Sequence, residues 1–208
     1  MIDTTFIVQA FVTLFVIVEP VGAVPIFIGL MSRFDDKVRA RMIQRSVSIA
    51  CLVLMVFTVF GNMIFGFLGI SMYSFRIAGG ILLLIISIEM LFGSKTRTEV
   101  SEDTLAEEQD NLTISPMAVP LLTGPGAVTS GIMLYNGAHT TQEKAALCGV
   151  VLLVFVISYV ILRNMNLVYK TLGKTGTKVF VRLMGLMLSA IAVQFIIVGI
   201  KEAFPTMV

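Results

Sequence analysis

Two short stretches of this chain combine proline, glycine and polar side chains inside apolar surroundings. Glu19-Pro20-Val21-Gly22-Ala23-Val24-Pro25 lies in one apolar run and Thr123-Gly124-Pro125-Gly126-Ala127-Val128-Thr129 in another. Proline has no backbone N–H and clashes with the preceding turn, so each stretch is expected to interrupt a helix. The half-helix after a break presents free N–H groups and a positive dipole end, which suit a carboxylate. The half-helix before it presents free carbonyls, which suit a cation or an ammonium group. A zwitterionic amino acid offers both partners. Glycine lets the backbone approach closely and leaves little room for a large ligand side chain. The expected ligand is thus a small neutral amino acid. Its expected contacts are Glu19, Pro20, Gly22, Ala23 and Pro25 from the first stretch, and Thr123, Gly124, Pro125, Gly126, Ala127, Thr129 and Ser130 from the second. Ordinary kinked helices stay open as the alternative, because Gly and Pro are frequent in membrane spans.

Glu19 stands alone as a carboxylate at the centre of an apolar run. A charge in such a place is costly and is usually paired or functional. It is a candidate proton carrier, and it could instead pair with a substrate ammonium or a sodium ion, or satisfy the broken backbone as a neutral acid. Thr123, Thr129 and Ser130 are either ligands or partners for freed carbonyls. Gln194, inside the last apolar run, either reaches the cavity or joins helices. Arg76 and Arg182 read as interface anchors, and Glu89 as a side chain that snorkels to the surface. His139 is the only histidine, too few ligands for a metal site. No cofactor is expected beyond a coupling proton or sodium ion.

The elements that must position these residues follow from composition. Of 208 residues 57% are hydrophobic and only 13% charged, and the mean hydropathy is +0.96. So much apolar surface cannot be buried in one soluble core of this size, whereas a bilayer absorbs it at roughly 20 residues per helix. Six apolar spans are expected, at 6–31, 46–68, 75–92, 114–135, 145–162 and 179–200. Both breaks fall near the middle of their spans. The composition excludes a soluble enzyme, a nucleic-acid binder and a disulfide-rich secreted domain. Cys51 and Cys148 lie in or beside apolar runs and read as packing residues, as do the methionines.

Lys and Arg set orientation; acids count for little. The first, third and fifth polar segments hold eleven of the fifteen basic residues, including Arg33, Lys37, Arg39, Arg41 and Arg45 in the first. The expected topology has these loops in the cytoplasm and both termini outside. The third loop continues through an acidic stretch, 99–110, read as a solvated linker.

The chain also repeats itself. Gly22-Ala23-Val24 recurs as Gly126-Ala127-Val128, a shift of 104, and Arg76-Ile-Ala-Gly79 recurs in outline as Arg182-Leu-Met-Gly185, a shift of 106. Two ordered matches at nearly equal shifts point to two halves of three helices each. Because three is odd, the second half enters the membrane the other way round, the inverted repeat of many secondary transporters. The expected fold is an all-α polytopic membrane protein of six helices, with helices one and four broken near the midplane. Its parts are a first repeat at 1–92, a linker at 93–113 and a second repeat at 114–208, forming one membrane domain.

These same residues resemble a known family. Glu-Pro-Val-Gly-Ala-Val-Pro-Ile-Phe from Glu19 is similar to the first signature of the MarC family of bacterial and archaeal membrane proteins. Pro120-Leu-Leu-Thr-Gly-Pro-Gly-Ala resembles its second signature, and the segments opening at Arg76 and Arg182, with Gln194-Phe195, resemble its third and sixth helices. The resemblance departs at Ala23, where several members carry a polar residue. It implies six helices, a bacterial inner-membrane location and, in some members, transport of glycine- or alanine-like amino acids.

The expected function is secondary active transport by alternating access, with Glu19 coupling a proton or sodium ion. An exporter of amino acids or drugs, a channel and a non-transporting assembly protein are the alternatives. No P-loop signature Gly-x-x-x-x-Gly-Lys-[Ser/Thr] is present, so ATP-driven transport is not expected, nor is an enzyme. The expected partners are the zwitterion and membrane lipid, with no nucleic acid; the oligomeric state is left open.

Overall fold

The computed structural model describes residues 4–31, 34–92 and 122–204. Seven helices follow one another: α1 (Thr4–Val18), α2 (Pro20–Met31), α3 (Asp36–Leu68), α4 (Met72–Phe92), α5 (Pro125–Gly137), α6 (Thr141–Arg163) and α7 (Met165–Ala203). No strand occurs among the described residues. Five helical runs are long and apolar enough to cross a membrane: Thr4–Met31, which joins α1 to α2, then α3, α4, α6 and the Thr175–Ala203 part of α7. The expected fourth span is described only from residue 122 onward, where it forms the 13-residue α5. The acidic loop 99–110, the linker 93–113, Pro116 and Pro120 lie outside the described residues.

The chain is an integral multi-pass membrane protein, but two expected loops are mostly helix. The first polar segment is absorbed into α3, whose 33 residues span about 50 Å at 1.5 Å per residue. That exceeds the hydrocarbon thickness, so its first turns extend into the headgroup region. The segment after Arg163 is absorbed into α7, interrupted only at Gly173 with φ 64° and ψ 179°. Gly173 lies 104 residues after Gly69, the other glycine with positive φ (67°). Gly69 follows the end of α3, whereas Gly173 interrupts α7 ten residues after α6 ends at Arg163, so the pair shares the shift found at Gly22 and Gly126 but not the same place in a helix. At Gly69 the N–H of Gly69 donates to Gly66 C=O (3.3 Å) and the N–H of Ile70 to Phe65 C=O (2.9 Å), the double bond that closes a helix on a left-handed residue. Helix α6 starts with a reciprocal cap. Glu143 N–H donates to Thr140 Oγ1 (3.1 Å), and the N–H groups of His139 and Thr140 donate to Glu143 Oε2 (2.8 and 3.2 Å).

The helices meet mainly across the halves. Helices α4 and α7 form the most extensive pairing and run antiparallel. Gly80 lies against Ala192 and Ile196, Gly185 against Ser87 and Met90, and Gly199 against Tyr73 and Ile77. Small residues at such a crossing let two backbones approach closely, which compensates for the missing hydrophobic drive between helices in lipid. Helices α3 and α5 run parallel, in contact at Ala50 and Thr123, Thr58 and Gly131, and Gly61 and Ile132. Helix α5 also crosses α4, antiparallel, at Gly79 with Thr129 and Leu83 with Gly126. Exchanging the halves turns α3 on α5 into α6 on α1 and α2, and α4 on α5 into α7 on α1 and α2; all four pairings are present. The pairings α3·α6 and α4·α7 map onto themselves. Two buried clusters result, a larger one holding Leu14, Phe27, Leu54, Leu147 and Phe155 and a smaller one of Val16, Leu83, Leu188 and Ala192.

A Cβ on Gly80 would stand 2.9 Å from Ala192 O and 3.1 Å from Ile196 N, both backbone atoms, whereas a Cβ on Gly29 meets nothing within 4 Å. Gly80→Val is expected to cost roughly 1–3 kcal/mol, the usual range for overpacking. Gly29→Ala is expected to be neutral or to stabilise by up to about 1 kcal/mol through helix propensity. Thermal unfolding in detergent checks the contrast; equal midpoints for the two variants contradict the close α4–α7 crossing.

Candidate functional site

The first break is a single residue wide. Glu19 separates α1 from α2 with φ 45°, the only non-glycine residue of positive φ among those described. Such a conformation is uncommon for a side chain with a Cβ and usually has a local cause. Pro20 follows at the first position of α2, where a missing N–H is tolerated. Hydrogen bonding almost continues through the break: Glu19 N–H donates to Phe15 C=O (3.0 Å) and Ala23 N–H to Glu19 C=O (3.2 Å). Val16 C=O loses its helical donor, because residue 20 has none to give.

Pro25 corrects the sequence-based expectation. It was expected to help break the chain, but it sits inside an unbroken α2 with its ring exposed. Its missing N–H frees only the Val21 carbonyl, and one such loss bends a helix without ending it when the chain on both sides is packed. Pro20 and Ala23 are buried, and Gly22 is half-buried.

The Glu19 side chain folds back over Gly22. A Cβ on Gly22 would lie 2.5 Å from Glu19 Oε1 and 2.7 Å from Cδ. Glycine is therefore what makes space for the carboxyl group at the start of α2. Glu19 Oε1 is closed off from solvent and has no hydrogen-bond partner. Buried polar atoms are normally bonded, so an orphan of this kind marks either stored strain or a place for an absent partner.

In the second stretch Gly124, with φ −65° and ψ 169°, precedes Pro125 at the first position of α5, and the expected half-helix before residue 122 lies outside the described residues. Its carbonyl accepts from Ala127 N–H (2.9 Å) and Val128 N–H (3.2 Å). Thr123, which stands where Glu19 stands in the first half, donates through Oγ1 to Ala50 C=O of α3 (2.9 Å). Ser130 Oγ donates to Gly126 C=O (2.8 Å). Those hydroxyls thus take the role of bonding to carbonyls. Thr129, also buried, packs against Gly79. Gly126 and Ala127 are buried as well.

The two breaks share one centre. A Cβ on Gly126 would come within 3.6 Å of Ile17, so α5 meets α1 two residues before Glu19. Val18 and Ala23 from one break and Leu122 and Ala127 from the other belong to a single buried cluster. Gln194 is not brought to this centre. It is exposed on α7, on the side opposite the buried Leu188 and Ala192. A period of 3.6 carries residue 194 away from the face that 188 and 192 share, a distinction that uniform apolarity around it conceals.

Other polar residues escaped the sequence reading. Thr58 is buried with Oγ1 unpartnered, facing Gly131. Asn62 and Asn136 exchange amide hydrogen bonds between α3 and α5, with Asn136 Nδ2 donating to Asn62 Oδ1 at 2.8 Å. Arg76, read as an interface anchor, forms an ion pair with Glu202 at the end of α7. Polar side chains near span ends were the available signal, but partners 74 and 126 residues apart are not readable from one chain. A groove of about 590 Å³ between α3 and α6, lined by Gln44, Ser48, Cys51, Met55, Phe155 and Tyr159 among others, contains none of the expected site residues. Among the described residues no group of three or more His, Cys, Asp or Glu side chains could hold a metal ion.

Residues 4–204 match the family model described as MarC family integral membrane protein. A UPF0056 membrane protein of Methanocaldococcus jannaschii is 38% identical over 202 residues, covering 97% of this chain and 98% of its own length. One of Pyrococcus abyssi is 40% identical over 195 residues, covering 93% and 94%. Another, of Aquifex aeolicus, is 34% identical over 198 residues, covering 94% and 92%. No solved structure matches the chain. The matches run through both breaks and all seven helices, and the chain belongs to the MarC family of integral membrane proteins.

Proposed function

We propose that this protein is a secondary transporter of a small neutral amino acid, not an enzyme, working by alternating access around the paired breaks. The observation that carries this reading is the meeting of the break at Glu19 with the corresponding start of α5 in one buried cluster, where a carboxyl oxygen has no partner among the described residues. Discontinuous helices in corresponding positions of two halves are the best pointer to a transporter site. The start of α5, with Gly126 N–H unclaimed by the helix, offers donors and a positive dipole end to a substrate carboxylate. Glu19 offers an acceptor to the ammonium group, or carries the coupling proton or sodium ion. Glu19 fills the space over Gly22 and Leu83 the space over Gly126, so a site opened there would admit no more than a small side chain.

Topology completes the proposal. The excess of Lys and Arg in the first, third and fifth connections supports a cytoplasmic side for them, with both termini outside, in a bacterial inner membrane on this reading. The alternation of α3, α4, α5 and α7, seen in their parallel and antiparallel contacts, is compatible with that placement.

The test is uptake of radiolabelled glycine and alanine into liposomes of known protein orientation, under imposed proton or sodium gradients. Gradient-driven, saturable uptake is expected, with Glu19→Gln reducing it at least ten-fold while binding of the chain to the membrane is unchanged. Currents without saturation would favour a channel, and absence of uptake by correctly oriented wild type would sink the amino-acid reading.

The cradle around the carboxyl gives a second expectation. Gly22→Ala puts a methyl group where Glu19 Oε1 now lies, so uptake should fall with little change in thermal midpoint, because the displaced atom is the end of a side chain. Thr123→Val should do the reverse in part: it removes the hydroxyl bond that ties the start of the second stretch to α3 at Ala50, a loss of about 0.5–1.5 kcal/mol, measurable as a lower midpoint. If Gly22→Ala transports normally, the position of the Glu19 carboxyl does not matter for function.

A further inference from the structure

Gln194 presents a problem that the transport site does not solve. It lies six residues before Ile200, about 9 Å along the helix, inside the apolar stretch of α7. Its amide faces outward and has no hydrogen-bond partner among the described residues. An amide in hydrocarbon gains about 1 kcal/mol from a neighbour that supplies both a donor and an acceptor at its depth.

The residues around it are spaced for a helix partner. Leu183, Met187, Ala190, Gln194 and Ile197 follow one another at alternating steps of four and three. All five are exposed: Leu183 at 54%, Met187 at 40%, Ile197 at 44%, with Ala190 and Gln194 in the same class. A repeat of 3.5 residues keeps one seam toward a neighbouring helix that crosses at about 20°. The seam runs for about 21 Å, and exposed Arg182 and Lys201 stand beyond its two ends, where headgroups and water receive them. Ala190, one turn from Gln194, lets the two backbones approach.

The identity of the partner follows from orientation. Copies of one chain insert in the same direction, so their α7 helices are parallel and equal positions lie at equal depth. Around a two-fold axis normal to the membrane, Gln194 then meets Gln194, and each amide gives its N–H to the other's oxygen. An isologous contact requires such self-complementarity. A single polar side chain at a seam position is also the device by which parallel helix pairs fix register and copy number.

We infer that this protein forms a parallel homodimer through the α7 seam centred on Gln194. The inference is independent of the transport reading, since the seam lies on the opposite side of α7 from the buried core. The first measurement is native mass spectrometry of the full chain in mild detergent, where two copies are expected; one copy at every concentration overturns the dimer. The second places single cysteines in a background with Cys51 and Cys148 changed to alanine, in phosphatidylethanolamine–phosphatidylglycerol vesicles. Oxidation should link most of the Ala190→Cys and Gln194→Cys protein into dimers and leave Leu153→Cys, exposed on α6, monomeric. Equal linking at all three sites overturns the seam. Gln194→Leu should weaken dimerisation by about three- to ten-fold, the size of paired intramembrane hydrogen bonds; unchanged dimerisation removes Gln194 from the contact.

Discussion

A proline at position 20 deprives the Val16 carbonyl of its helical donor, and in a bilayer there is no water to take the donor's place. Pro125 likewise has no N–H to give at the start of α5. Everything around the two breaks can be understood as enclosure of backbone that lipid would not tolerate. Helices α1 and α5 meet at Ile17 and Gly126, and α4 closes over α5 at Leu83 and Gly79. Thr123 and Ser130 spend their hydroxyl protons on carbonyls of α3 and α5. Among the described residues one oxygen of Glu19 and the hydroxyl of Thr58 are still without a partner.

Enclosure of this kind explains why the halves interlock. If each three-helix half packed mainly on itself, its broken helix would face the other half across a lipid-accessible seam. Instead α3 covers α5 and α6 covers α1, so each break is shielded by the second helix of the opposite half. The long α4–α7 crossing, made close by Gly80, Gly185 and Gly199, then ties the third helices together. On the transport reading, an antiparallel pair that maps onto itself under exchange of the halves is a suitable axis for rocking, because both conformations would use the same contacts.

Much of this was legible in the sequence, and the reasons differ by feature. Spans are readable because apolar length is set by bilayer thickness. The breaks are readable because proline's missing N–H acts whatever the context, and at Pro20 and Pro125 it sits at a helix start. Pro25 misled because the same chemistry in the interior of α2 is tolerated when neighbours hold the helix on both sides. The repeat was visible at Gly22 and Gly126, and positive φ at Gly69 and Gly173 adds a pair that sequence identity alone would not single out. The direction of Gln194 was hidden because α7 is apolar all round, so no polar stripe marks its outer side. The loops after Met31 and Arg163 looked like loops because they are charged, yet charge is no obstacle to helix once the chain has left the hydrocarbon.

Exchange of the halves leaves one difference at the centre. Glu19 and Thr123 hold the same place before the same Gly-Ala-Val turn, but one carries an ionisable group and the other a hydroxyl already bonded to Ala50. A scaffold with perfect two-fold symmetry would have two conformations of equal energy, one open to each side, and nothing to bias a substrate between them. A carboxyl group on one half only breaks that equality. On the transport reading, its proton or cation is lost to whichever side the site faces, so the electrochemical gradient sets the populations of the two conformations. Symmetry then supplies the motion and the single carboxylate its direction. The same division accounts for the conformation of Glu19, whose φ of 45° is the strain the fold accepts to hold that carboxylate over Gly22.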